Sequence, residues 1–178
     1  MRRLESSSLA LAMGLLALLI GACSHPGYAS FTDAEKRTMI ERMYEEYKEK
    51  FPGVPDIAPK EAEVALEADQ IVLVDVREPR EQAVSMIAGA ITREQFEQAR
   101  DQYRDTRIVT YCTIGYRSGE YAATLMDEGY DVANLRGSIL AWAHEGLPLV
   151  GPDHKPTLRA HVFGKRWDLL PSGYQSKY

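Results

Sequence analysis

The sequence predicts an α/β domain with a central, mostly parallel sheet flanked by helices, and three observations carry that prediction. Ile71-Val72-Leu73-Val74-Asp75-Val76 is a nearly continuous apolar run, which suits a strand covered on both faces and not one with a wet face. Strand-like and helix-like segments alternate from Val54 to Pro148, as crossovers between parallel strands require. Helix-like segments also carry their own start and stop signals. Thr32-Asp33-Ala34-Glu35 and Thr92-Arg93-Glu94-Gln95 are capping boxes, and Gly129 and Gly146 stand where helices close.

Taken in order, the first helix follows the Thr32 cap and repeats Ile40, Met43, Tyr44, Tyr47 and Phe51 at spacings of three and four, until Pro52-Gly53 stops it. That face either packs on its own domain, the preferred reading, or receives a partner. Val54 to Ile57 reads as a short strand and Pro59 to Ala68 as a helix. The Ile71 to Val76 strand is followed by a weaker one over Ile87 to Ile91. The second capping box leads a helix with Phe96, Ala99 and Tyr103 on one side. Arg107 to Tyr111 is a strand, Ser118 to Glu128 a helix, Val132 to Leu135 a strand and Ile139 to Glu145 a last helix. Residues 151–178 keep Leu158, Val162, Phe163, Trp167, Leu169 and Leu170, too apolar for a free linker, so they are expected to dock on the domain.

The chain has 178 residues, 45% of them apolar and 26% charged, which suffices for one packed domain with added segments. A formal net charge of −5 without a long Lys/Arg block argues against nucleic acid as a partner. Two cysteines, Cys23 and Cys112, do not make a disulfide framework. Arg2 and Arg3 precede an uncharged run of 13 residues, Leu9 to Gly21, shorter than the roughly 20 residues of a spanning helix and apt for a signal peptide. The run ends in Leu19-Ile20-Gly21-Ala22-Cys23, similar to a bacterial lipobox, in which small residues admit the peptidase and the cysteine receives lipid. The expected organisation is therefore a lipoprotein-type signal over 1–22, a tether and helix over 23–53, the α/β domain over 54–150 and a docked extension over 151–178. The expected location is the periplasmic side of a bacterial cell envelope, held to the membrane through lipid on Cys23. An uncleaved signal anchor is the alternative.

The chemistry concentrates in Tyr111-Cys112-Thr113-Ile114-Gly115-Tyr116-Arg117-Ser118-Gly119. A cysteine directly after a strand, then a compact loop and a helix start, has its sulfur where backbone N–H groups and the positive end of a helix dipole converge. Arg117 adds a fixed charge nearby, so the Cys112 thiol is expected below its usual value of about 8.5, as a nucleophilic thiolate. Gly115 suits a turn with positive φ, and the Ser118 hydroxyl can cap the following helix.

Cys112-x-x-Gly115-x-Arg117-Ser118 resembles the active loop of rhodanese-like sulfurtransferases. Val74-Asp75-Val76-Arg77-Glu78-Pro79 with Glu81 resembles that family's Asp-x-Arg-x-x-x-Glu segment, and Ile87-Ala88-Gly89-Ala90 its Ile-Pro-Gly-Ala turn. Asn134-Leu135-Arg136-Gly137-Ser138-Ile139, with Ala141-Trp142 and Gly146-Leu147-Pro148, resembles its closing helix. The likeness runs from about Pro55 to Val150. Met86 departs from a frequent histidine and Ala88 from the usual proline, both in the turn and neither in the loop.

The resemblance implies sulfur transfer through a persulfide on Cys112. Thr113, Ile114, Gly115, Tyr116, Arg117 and Ser118 would form the substrate cradle, and Asp75 and Arg77 a supporting pair. The donor would be thiosulfate or another persulfide, and the acceptor cyanide or a thiol, including a thiol protein; no cofactor is implied. Arg117 either anchors the loop or meets an anionic donor. Asp75 and Arg77 either reach the crevice or, the preferred reading, form an ion pair tying the strand end to neighbouring loops. Ile114 and Tyr116 make the loop less polar than one dedicated to small anions, pointing toward a protein or organic thiol.

Phosphatases and arsenate reductases of the same fold usually have a seven-residue Cys-x5-Arg loop, whereas Cys112 to Arg117 is six residues, a better fit to sulfur than to a tetrahedral phosphate. A non-catalytic binding module of this fold is the other alternative. His144, His154 and His161 have no ligand-like spacing with Cys112 and are expected to be isolated surface residues, not a metal site.

Overall fold

The structure is a computed structural model and describes residues 30–178; the signal segment and Cys23 lie outside the described residues. Five parallel strands form the central sheet in the order β1-β6-β5-β2-β4: β1 (Asp56–Ile57), β2 (Ile71–Asp75), β4 (Ile91–Thr92), β5 (Arg107–Tyr111) and β6 (Val132–Leu135). Every residue of β2 is buried, because successive side chains point to opposite faces and both faces are covered. Ile71, Leu73, Val109, Tyr111, Ala133 and Leu135 enter one core. Val72, Val74, Ile108 and Val132 enter the other.

The first core is closed by α1 (Asp33–Lys48), α2 (Pro59–Glu67) and α6 (Ser138–His144). The second is closed by α4 (Arg93–Ala99) and α5 (Tyr116–Asp127). Both capping boxes form: the Thr32 Oγ1 accepts from the Glu35 N–H at 3.3 Å, and the Thr92 Oγ1 from the Gln95 N–H at 3.1 Å. No helix among the described residues is long and apolar enough to cross a membrane.

Several boundaries differ from the sequence reading. The strand expected over Ile87 to Ile91 is two, β3 (Met86–Ile87) and β4, because Gly89 at φ +80° turns the chain between them. The first of these leaves the main sheet and pairs antiparallel with β7 (Leu149–Val150). Pro79 opens an unanticipated short helix, α3 (Pro79–Gln82), which presents Glu81. The expected Val54 to Ile57 strand shrinks to β1, since a turn from the Val54 N–H to the Phe51 carbonyl takes up its start. Tyr103 lies beyond α4 in a 3₁₀ turn and stacks on Phe96, ring centroids 5.6 Å apart.

Beyond the sheet, Ala160, Val162, Leu169 and Leu170 are buried in the first core, while β8 (Arg159–His161) and β9 (Gln175–Lys177) pair parallel. Polar contacts fasten this segment. The Leu170 carbonyl accepts from Lys36 Nζ at 2.9 Å, and Asp33 accepts from the Ser172 N–H at 2.9 Å. Two of the three histidines read as surface residues are in this seam instead, with His144 only 5% and His161 6% exposed; His154 is exposed. Burial among tail and domain, invisible to spacing, explains the difference. His144 Nε2 bonds the Leu169 carbonyl at 2.8 Å and its Nδ1 accepts from Arg37 Nε at 3.3 Å.

Both imidazoles lie below the ordinary histidine value. For His144 burial and the Arg37 charge outweigh the Leu169 carbonyl. For His161 burial, with Arg80, Arg77 and Arg117, outweighs Glu81. A histidine harder to protonate folded than unfolded makes the folded state bind fewer protons, so stability rises with pH just below about 6.5 and falls as pH is lowered there. Glu81 and Glu145 are themselves shifted downward and titrate beneath this window. Between about pH 7 and pH 5.5 the melting temperature should therefore drop, and His144→Gln should remove part of the drop. A wild-type melting temperature constant across that interval would contradict this.

Candidate active site

Cys112 is the first residue after β5, and its Sγ ends at the start of α5. The Gly115 N–H donates to Sγ at 3.2 Å and the Ser118 hydroxyl at 3.5 Å. The loop is moored from behind by α6. Ser138 Oγ accepts from the Cys112 N–H at 3.1 Å, and the Cys112 and Thr113 carbonyls accept from the N–H groups of Ile139 and Leu140, each at 3.3 Å. Asn134 Nδ2 donates to the Gly115 carbonyl at 2.9 Å.

Gly115 itself is the N-cap of α5, at φ +118°, and a Cβ there would sit 2.5 Å from the Tyr44 ring. This corrects the expectation that Ser118 caps the helix. With Gly115 in the cap, α5 starts two residues earlier than expected, and the Ser118 hydroxyl is free to face the sulfur.

Burial alone would push the Cys112 thiol up. The Arg117 charge, the Ser118 hydroxyl and N–H, and the Gly115 N–H together outweigh it, and the thiol lies below its ordinary value. Arg117 is in turn held in a bidentate pair with Glu81, at 2.6 and 2.9 Å, and donates to Thr113 Oγ1 at 3.2 Å. Burial would raise the Glu81 carboxyl, but Arg117, the Glu78 N–H and Arg77 keep it below the usual carboxylate range. Glu81 is thus the residue that aims Arg117, from a helix the sequence reading did not anticipate.

Asp75 and Arg77 are fully desolvated beneath the loop. Arg77 donates to Asp75 through Nε at 2.9 Å and Nη2 at 2.6 Å, and to the Ser85 carbonyl at 2.7 Å. Asp75 Oδ2 accepts from the Tyr111 hydroxyl at 2.7 Å, and that hydroxyl accepts from the Ile87 N–H at 3.1 Å. The pair therefore fixes the residue before the cysteine and the turn opposite, without lining the pocket above Sγ.

That pocket has a volume of 260 Å³, with Cys112, Thr113, Ile114, Tyr116 and Arg117 from the loop, Tyr47 from α1, and Phe163 and Trp167 from the tail. Gly115 and Ser118 touch the sulfur from below and are not part of the lining. Sequence reasoning did not place Tyr47, Phe163 or Trp167 here. The one available signal was the excess of apolar residues in the tail. Among the described residues no group of three or more His, Cys, Asp or Glu side chains could hold a metal ion.

Alkylation of Cys112 by iodoacetamide, located by peptide mass, tests the electrostatics. The midpoint of the rate against pH should lie below about 8.5. Arg117→Gln should move it up further than Ser118→Ala, following the order of the two influences. A wild-type midpoint at or above the free-cysteine value would contradict the geometry's consequence.

Residues 58–145 match the family model described as Rhodanese-like domain. A protein named sulfurtransferase from Allochromatium vinosum is 40% identical over 91 residues, covering 49% of this chain and 85% of that one. A tRNA uridine(34) hydroxylase from Staphylococcus saprophyticus is 33% identical over 99 residues, which are 50% of this chain but only 31% of that enzyme. Among solved structures, a rhodanese-related protein from Thermoplasma volcanium aligns with TM-score 0.48 and 27% identity, over 54% of this chain and 97% of that one.

Proposed function

The chain belongs to the rhodanese-like domain family, and from that membership we propose that it is a sulfurtransferase working through a persulfide on Cys112. The observation that carries the proposal is the Cys112 sulfur itself, held by the Gly115 N–H and the Ser118 hydroxyl at the N-terminus of a 12-residue helix and opening into a pocket. In the first half-reaction the thiolate attacks the outer sulfur of the donor. The new S–S bond forms as the donor's own S–S bond breaks and its electron pair leaves with sulfite, when the donor is thiosulfate. The charge of the resulting Cys112–S–S⁻ falls at the same helix end, whose first-turn amides have no intrahelical acceptor. In the second, cyanide or a thiolate attacks the terminal sulfur, and Cys112 departs as thiolate. No general base is required, because the attacking group is already ionised.

Cys112 is the one free cysteine among the described residues, and with Cys23, the chain's other cysteine, taken up by lipid, discharge needs an external acceptor. Sulfur-labelled protein freed of donor should keep its label until cyanide or a thiol is added, and rapid release of sulfide without either would overturn that requirement. Steady aryl-phosphate hydrolysis dependent on Cys112 would instead favour a phosphatase. From the Leu19 to Cys23 segment we also propose lipidation at Cys23 and residence at the periplasmic face of a bacterial envelope. Palmitate labelling should vanish in Cys23→Ala, and labelling that persists would exclude it.

A further inference from the structure

We infer that the pocket over Cys112 selects sulfane-sulfur donors in which the transferable sulfur is carried on a bulky apolar group over small donors, methyl-bearing or inorganic; the inference rests on the sulfur-transfer reading above. Three observations support it. Three lining residues come from outside the matched family segment, Tyr47 from α1 and Phe163 and Trp167 from the tail, and all three are aromatic. Among the described residues Arg117 is the one cationic side chain in the lining, and its charge is already met by Glu81. Its outer face is covered by the Phe163 ring, 4.9 Å from the guanidinium carbon to the centroid. A dianion would therefore find no uncompensated cation, while an apolar group would find rings.

The third observation is the way Phe163 is presented. It adopts φ +66°, a conformation bulky residues avoid, yet remains 43% exposed, so burial does not compensate the strain. Its N–H donates to His161 Nδ1 at 3.0 Å, which fixes the turn, and its ring meets Trp167 edge-on at 5.2 Å. The backbone is thus held in an unfavourable state that keeps an aromatic ring at the pocket mouth. A cavity of about 150 Å³ is enough for benzene, and this one measures 260 Å³.

An aryl thiosulfonate fits these walls. The Cys112 thiolate would attack its sulfane sulfur, the sulfur–sulfonyl bond would break, and the sulfinate would leave with the electron pair: ArSO₂S⁻ and Cys–S⁻ give ArSO₂⁻ and Cys–S–S⁻. The test compares benzenethiosulfonate with methanethiosulfonate on the full-length chain, with cyanide as acceptor and each rate normalised to the donor's rate with free cysteine. The benzene compound should have a kcat/KM at least about tenfold higher, mostly through KM, since even one added methylene in an apolar pocket is worth about that. Trp167→Ala and Phe163→Leu should shrink the ratio toward one. A wild-type ratio near one, or equal losses on both donors in the variants, would overturn the inference. Product inhibition gives a readout without variants: benzenesulfinate should inhibit about tenfold more tightly than methanesulfinate, and equal inhibition would also overturn it. Failure of both donors to load Cys112 would strike the sulfur-transfer reading itself, whereas equal loading by both would remove only the selectivity.

Discussion

Cys112→Ser should lower thiosulfate:cyanide sulfurtransfer by at least about 10³-fold, leaving the fold in place. The hydroxyl is nearly isosteric with the thiol and can accept the same bond from the Gly115 N–H, so the loop has no reason to rearrange. What disappears is the anion. A serine hydroxyl is not ionised by Arg117 and two or three hydrogen bonds, and the chemistry has no base to help it. Circular dichroism and the melting temperature should match wild type, which separates loss of chemistry from loss of structure. Residual turnover within tenfold of wild type would move the nucleophile elsewhere.

Gly115→Ala should destabilise the chain by about 3 kcal/mol, a large fraction of a typical total of about 5–15 kcal/mol. Two independent costs add at this position. The residue sits at φ +118°, where an L side chain is strained, and its Cβ would be 2.5 Å from a ring carbon of Tyr44. That ring is only 1% exposed, so it cannot simply swing out into solvent. Any shift that relieves the contact displaces the Gly115 N–H from Cys112 Sγ, so the thiol midpoint should rise together with the loss of stability. Urea unfolding and the alkylation profile measure the two effects on the same sample. A variant within about 1 kcal/mol of wild type, with an unmoved midpoint, would show that the loop does not depend on this glycine.

The sheet was legible because β2 is a nearly continuous apolar run and helix starts were marked by Thr32 and Thr92, signals that survive in one dimension. The loop was legible for a similar reason: strand end, cysteine, glycine and arginine fall within seven residues of one another. Less visible was everything that depends on distant segments meeting. Glu81 is 36 positions from Arg117 and becomes its partner only because Pro79 starts a short helix beside the loop. Ser118 has a side chain suited to capping, but Gly115 takes the cap through a backbone conformation that composition merely permits. His144 and His161 look like surface residues until the tail, which carries His161, docks on the domain, and Phe163 and Trp167 reach the pocket by the same docking. The separation is physical: local signals report backbone preference, whereas a pocket is assembled by tertiary packing.

The most direct test of sulfur transfer is the intact mass of the purified full-length protein before and after thiosulfate, repeated for Cys112→Ser. The wild-type chain should gain one sulfur atom, on the peptide containing Cys112, and lose it on addition of cyanide with matching formation of thiocyanate. An unchanged mass, or an adduct that persists in Cys112→Ser, would contradict the account.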